Sequence, residues 1–82
     1  MIDTLGFVYY KKNLPSMAIR EFQESIKLSG RNPLYHFHLG LAHAQAGDKA
    51  SARRAIQEAL RLDANFSEAA EARRLLTTLQ ES

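Results

Sequence analysis

Three histidines come closest to chemistry in this chain: His36, His38 and His43. Imidazole is a common metal ligand, and with no cysteine in the sequence there is no thiolate to join it. On a helix, His36 and His43 share a face but stand two turns apart, about 10 Å along the axis. His38 points elsewhere, and the nearest carboxylates fall in other segments. The spacing therefore does not make a metal site. His36 and His43 are expected to pack as aromatic residues do and to hydrogen-bond locally.

Glu21 and Glu24 are a carboxylate pair of the kind that acid–base catalysis uses. They alternate with Arg20 and Lys27, which is the composition of a solvated helix face. Ser16, Ser25, Ser29, Ser51 and Ser67 sit at helix ends or faces, with no nucleophile elbow or triad around them. The four glycines are isolated, so no glycine-rich loop is present to cradle phosphate. No catalytic group, cofactor or metal is expected, and the chain does not read as an enzyme. Arg53, Arg54, Arg61, Arg73 and Arg74 are numerous, and Tyr9, Tyr10 and Tyr35 could stack on bases. The arginines belong to several faces with acids between them, and the net charge is only +2, so nucleic acid is not an expected partner.

The elements that would position these groups are all helical. Ile2, Leu5, Gly6 and Tyr9 form the i, i+3, i+4, i+7 face of an amphipathic helix. Asn13-Leu14-Pro15-Ser16 breaks it, because proline starts a helix well but cannot continue one. A second helix to about Leu28 packs through Ala18, Phe22, Ser25 and Ile26. Asn32 suits an N-cap and Pro33 the first position of a third helix, running to about Ala46. Gly47 ends it, and Asp48 caps a fourth from about Lys49 to Leu62, carrying Ala52, Ile56, Ala59 and Leu60. A fifth, from about Ser67 to Gln80, has Ala69, Ala72, Leu76 and Leu79 on one face. No segment alternates as a strand does, and the short loops require antiparallel neighbours.

At 82 residues there is room for one small domain, and 45% hydrophobic with 24% charged residues is ordinary for a globular one. No apolar stretch approaches the roughly 20 residues of a membrane span, and no signal peptide is present in this sequence. These features slightly favour a cytoplasmic location. Helical pattern begins almost at Met1 without a capping residue ahead, as a fragment of a longer array would.

The sequence also repeats at a period of 34 residues. Leu5-Gly6 recurs as Leu39-Gly40, Ala18 as Ala52, Arg20 as Arg54, Gln23-Glu24 as Gln57-Glu58, and Leu28 as Leu62. Phe22 answers Ile56, and Ile26 answers Leu60. A fixed period in this range marks stacked supersecondary units. Glycine inside a helix costs about 1 kcal/mol relative to alanine, so glycine at the same phase twice implies close helix–helix approach. Ala18 and Ala52 are expected to face those glycines.

These residues resemble the tetratricopeptide repeat: a Leu-Gly pair and following aromatic (Leu5-Gly6, Tyr9), then an Ala-x-x-x-aromatic spacing (Ala18, Phe22). The second unit follows with Leu39-Gly40, His43, Ala52, Ile56 and Ala59, and Ala59 to Asn65 resembles the repeat junction. The departures are Ile2 and His36 where tryptophan is frequent, His43 for tyrosine, and Arg73-Arg74 for the third Leu-Gly pair. The resemblance implies an all-α fold of two helix-turn-helix repeats and a C-terminal capping helix, a segment of right-handed superhelical solenoid. Repeat 1 would cover about 1–32, repeat 2 about 33–66 and the cap about 67–80, in one domain over 1–82. Arg74 would not admit a further closely packed helix, so the array should stop there.

In such repeats the first helix of each pair lines a groove. The resemblance places Asp3, Phe7, Tyr10 and Lys11 there from the first helix. Leu34, Phe37, Leu41, Ala44 and Gln45 come from the third, and Glu68, Glu71 and Leu75 from the fifth. Phe7, Phe37 and Leu41 would then be largely exposed, and exposed apolar groups with a polar rim mark interaction sites. The expected function is docking of a partner peptide or helix, with Phe7, Tyr10, Phe37 and Leu41 as anchors and Lys11, Glu68 and Glu71 setting orientation. The alternative is a structural role: self-association as a homodimer, or the C-terminal end of a longer solenoid in an assembly or secretion protein. The basic clamp by which some family members hold acidic chaperone tails is missing, since Glu68 and Ala72 stand where cations are needed.

Overall fold

A computed structural model describes residues 4–81, and the side chains of 5–81. The expectations for Met1, Ile2 and Asp3 lie outside the described residues. Five helices follow in order: α1 (Thr4–Lys11), α2 (Pro15–Leu28), α3 (Pro33–Gln45), α4 (Lys49–Leu62) and α5 (Ala69–Glu81), with no strand among the described residues.

The punctuation is chemical. Pro15 and Pro33 each open a helix at a position that has no backbone N–H to lose. Asn32 Oδ1 accepts from the Leu34 N–H at 3.0 Å, and Asp48 Oδ1 from the Ser51 N–H at 3.1 Å, so both expected N-caps form. Two helix ends share one backbone device. At α3, Gly47 has φ +87°, its N–H reaches the Ala44 carbonyl at 3.0 Å, and the Asp48 N–H reaches His43 at 2.9 Å. At α1, 34 residues earlier, Asn13 has φ 62°, its N–H reaches Tyr10 at 3.0 Å, and Leu14 reaches Tyr9 at 2.9 Å. This is the left-handed C-terminal turn that glycine enters freely and asparagine tolerates.

The fifth helix starts later than Ser67. Asp63 Oδ1 accepts from the Asn65 N–H at 2.9 Å, and the Phe66 carbonyl accepts from Ala69 at 2.9 Å, so Phe66, Ser67 and Glu68 form a turn ahead of it. The cause is Phe66, which is buried and meets the Phe37 ring edge-on at 5.9 Å. Helical structure begins only after that anchor.

Packing runs from neighbour to neighbour: α1 on α2, α2 on α3, α3 on α4 and α4 on α5. Each helix leans mainly on the next, as a linear repeat array requires. One cluster joins Ala18, Phe22 and Ala42; the other joins Phe37, Ala52, Ile56, Ala59, Phe66, Ala69, Ala72 and Leu79. Alanine dominates both, which lets backbones approach closely. The two largest fully buried side chains are Phe22 and Ile56. A β-carbon on Gly6 would lie 2.6 Å from the Phe22 ring, and one on Gly40 would lie 2.6 Å from Ile56 Cγ1. The glycines therefore do mark close approach: the large residue four positions after each alanine lies nearest, and at Gly40 Ala52 also faces the glycine, through its carbonyl oxygen at 3.2 Å. Leu5, expected on the packing face, is half-exposed, while its counterpart Leu39 packs against the first cluster.

Candidate functional site

The first, third and fifth helices share one side of the array. Gln45 of α3 donates from Nε2 to the Tyr10 carbonyl of α1 at 3.1 Å, a second donor to an oxygen that also accepts from the Asn13 N–H. The Phe7 ring stands 5.7 Å from Tyr10 and 5.2 Å from His38, and Lys11 Nζ lies 5.2 Å from the Phe7 centroid, within cation–π range. Phe7, Tyr10 and Lys11 are thus gathered at one end. At the other end, α3 and α5 flank an open cleft of about 260 Å³ lined by Phe37, Leu41, Glu71, Arg74, Leu75 and Thr78.

Five of the expected residues sit differently. Phe37 was expected to be exposed and is 3% exposed, so it forms the cleft floor and belongs to the core. Phe7 and Leu41 are half-buried, packed against the two clusters, not largely exposed. Leu34 also packs against the larger cluster, and Glu68 is half-buried in the turn before α5, outside the cleft lining. Glu71 is on the rim, where it pairs with Arg74.

His38 is the buried histidine, at 8% exposure, with its ring 5.2 Å from Phe7, 5.7 Å from Phe22 and 5.9 Å from Phe37. It joins α1, α2 and α3, off the face shared by His36 and His43, as expected, but in a packed position that the spacing did not indicate. His36 Nε2 lies 2.8 Å from the Gly30 carbonyl, the local hydrogen bond expected of it. Burial pushes the His43 imidazole below its ordinary pKa; the Asp48 carboxylate opposes that, and Arg54 adds to it. No group of three or more His, Asp or Glu side chains could hold a metal among the described residues. Arg74, Leu75 and Thr78 complete the cleft. Leu75 was legible from its register with Phe7 and Leu41, but Arg74 and Thr78 depended on how α5 turns.

Helix pairs at a 34-residue spacing, a glycine under a large apolar side chain in each, and a fifth helix packed on the fourth make up a repeat array. The sequence matches the tetratricopeptide repeat family over residues 4–65 and again over 39–77. The chain belongs to the tetratricopeptide repeat family. Repeats of this family generally mediate protein–protein interaction, and they are typically non-catalytic. The second match runs into α5, so this tetratricopeptide chain keeps the family register beyond its Arg73-Arg74 departure. No curated protein matches the chain. No helix among the described residues is long and apolar enough to cross a membrane.

Proposed function

We propose that this chain is a non-catalytic docking module, taking a segment of a protein partner along the side formed by α1, α3 and α5. Its two repeats cover about 1–32 and 33–66 and its cap about 67–80, in a single domain. The observation that carries the reading is the cleft between α3 and α5. It has an apolar floor of Phe37, Leu41 and Leu75 and a charged rim of Glu71 and Arg74. Its volume, about 260 Å³, is below the roughly 300–1,000 Å³ typical of small-molecule pockets, and suits side chains presented by a polypeptide. Phe7, Tyr10 and Lys11 extend the surface along α1, where Lys11 supplies a cation. A protein partner is favoured over nucleic acid by the pairing of Arg61 with Glu58 and of Arg74 with Glu71, which interleaves acids with the bases.

A test is selection of short random peptides on the immobilised chain, followed by amide chemical-shift mapping of the best binder. The reading expects shifts along Phe7–Lys11, Leu41 and Leu75. Shifts confined to α2 and α4 would overturn it.

A second reading rests on the first hairpin, which carries Leu5, Val8, Leu14, Met17 and Leu28 as exposed large apolar side chains. Val8 is 41% exposed, whereas its counterpart Ala42 is fully buried beneath α2. Such a face is consistent with self-association or a place in a longer solenoid. Light scattering across a concentration range tests it: growth in mass that Val8→Gln abolishes supports self-association, and a constant monomer contradicts it.

A further inference from the structure

Leu5 and Val8 are exposed apolar side chains one turn apart on α1, and the 34-residue period shows what covers such a face. Their counterparts are Leu39 and Ala42 of α3. Ala42 is fully buried in one cluster with Ala18 and Phe22 of α2, and Leu39 packs against that cluster. The Phe22 ring also stands 5.7 Å from the His38 ring of α3. Helix α3 is thus a receptor for the helix before it, which offers a small residue and an aromatic one turn later. Helix α1 presents the same register, and its Leu5 and Val8 stay exposed among the described residues.

The chemistry of that face selects the kind of occupant. Leu5 and Val8 offer no hydrogen-bonding group, and a helix satisfies its own backbone, so a helix can lie on them at no polar cost. Val8 is bulkier than Ala42, so close approach depends all the more on a small residue from the incoming helix. This chain's own helices do not supply it. Ala18 and Phe22 of α2, and Ala52 and Ile56 of α4, are already fully buried within the array. Helix α5 carries Arg74 at the register of Gly40, and Arg73, Arg74 and Thr77 are exposed. A second copy stacked end to end would set that polar face on Leu5 and Val8.

Narrowing the second reading above, we propose that the Leu5 and Val8 face of α1 receives one amphipathic helix of a partner protein. That helix carries a small residue with a large apolar residue four positions later, and takes the place on α1 that α2 takes on α3.

The probe is a synthetic peptide of the α2 sequence, Pro15–Leu28, held helical by a lactam from Lys27 to position 23 after Gln23→Glu, both on its exposed side. Amide-resolved NMR follows its titration into the whole chain. The expected result is shifts along α1 at Leu5 and Val8. Val8→Gln in the chain, or Phe22→Gln in the peptide, should weaken binding about tenfold. Circular dichroism verifies that Val8→Gln keeps its helices, and Leu5→Gln is a second variant with the same expectation. Equal affinity in both chain variants overturns the proposal, as does the absence of shifts with peptide up to about 1 mM. Shifts centred on α3 or α5 also overturn it. Growth in mass without peptide, abolished by Val8→Gln, overturns it in favour of a second copy and leaves the second reading standing. The docking side formed by α1, α3 and α5 is decided separately, by the peptide selection.

Discussion

Phe22 lies directly over Gly6: a β-carbon on that glycine would sit 2.6 Å from Cε1 and 2.8 Å from Cδ1 of the ring. The ring is fully buried, so any swing would push on the residues packed around it. Ile56 stands over Gly40 in the same way 34 residues on, and there the Ala52 carbonyl oxygen also lies 3.2 Å from the same point. Alanine would gain about 1 kcal/mol of helix propensity at either site. Overpacking a filled core costs about 1–3 kcal/mol. Both Gly6→Ala and Gly40→Ala should therefore destabilise the fold, and Gly40→Ala more, because a backbone oxygen cannot rotate away. Urea denaturation of the two variants checks the order.

The two left-handed helix ends should respond oppositely to substitution. Nothing lies within 4 Å of a β-carbon placed on Gly47, so Gly47→Ala meets only the backbone penalty of its positive φ. That penalty is about 1–2 kcal/mol. Asn13 already bears part of such a cost at φ 62°, and Asn13→Gly should be neutral or stabilising. Thermal unfolding followed by circular dichroism measures both.

Stability should fall in two steps with acid. His43 has a lowered pKa because burial disfavours its charged form. Between that pKa and the unfolded value of about 6.5, the unfolded chain binds more protons, so stability declines as pH falls through this window. Asp48 is held below its ordinary range by hydrogen bonds from the Ser51 hydroxyl and the Ser51 N–H. Its contribution is present above the unfolded carboxylate value of about 3.9 and is lost as pH falls through the lower folded pKa. Thermal midpoints taken from about pH 7 downward should show the first decline shrink in His43→Gln and the second shrink in Asp48→Ala.

Phe37 should be a stability residue. It packs on Phe66 and on the alanines of α4 and α5. Truncating a buried phenylalanine costs about 3–5 kcal/mol, a large share of what an 82-residue domain has. Phe37→Ala should lower the unfolding midpoint steeply, and any lost binding would follow from lost fold. Denaturation of Phe37→Ala and Phe66→Ala should give similarly large losses.

Helix positions were legible because local chemistry dictates them: Pro15 and Pro33 at starts, Asn32 and Asp48 as caps, Gly47 at an end. Repeat phase was legible in Gly6 and Gly40, whose placement makes sense only under a neighbour. The inward turn of Phe37 was not, because the residue that buries it, Phe66, lies in a turn beyond α4. His38 escaped for a related reason, being enclosed by Phe7 and Phe22 from two other helices. Helix α3 is flanked by α2 and α4, so it buries Phe37, His38, Gly40 and Ala42 on more than one side and shows no single apolar stripe. The start of α5 moved because burial of Phe66 outweighed the capping tendency of Ser67.

The most direct measurement is calorimetric titration of a selected peptide into the wild-type chain, Leu75→Gln, and Ala50→Gln on the opposite, exposed part of α4. Circular dichroism verifies that all three keep their helices. The account predicts that Leu75→Gln weakens binding about tenfold or more, a loss of about 1.4 kcal/mol, while Ala50→Gln leaves it unchanged. Equal affinity for the wild type and Leu75→Gln would contradict docking on the side formed by α1, α3 and α5.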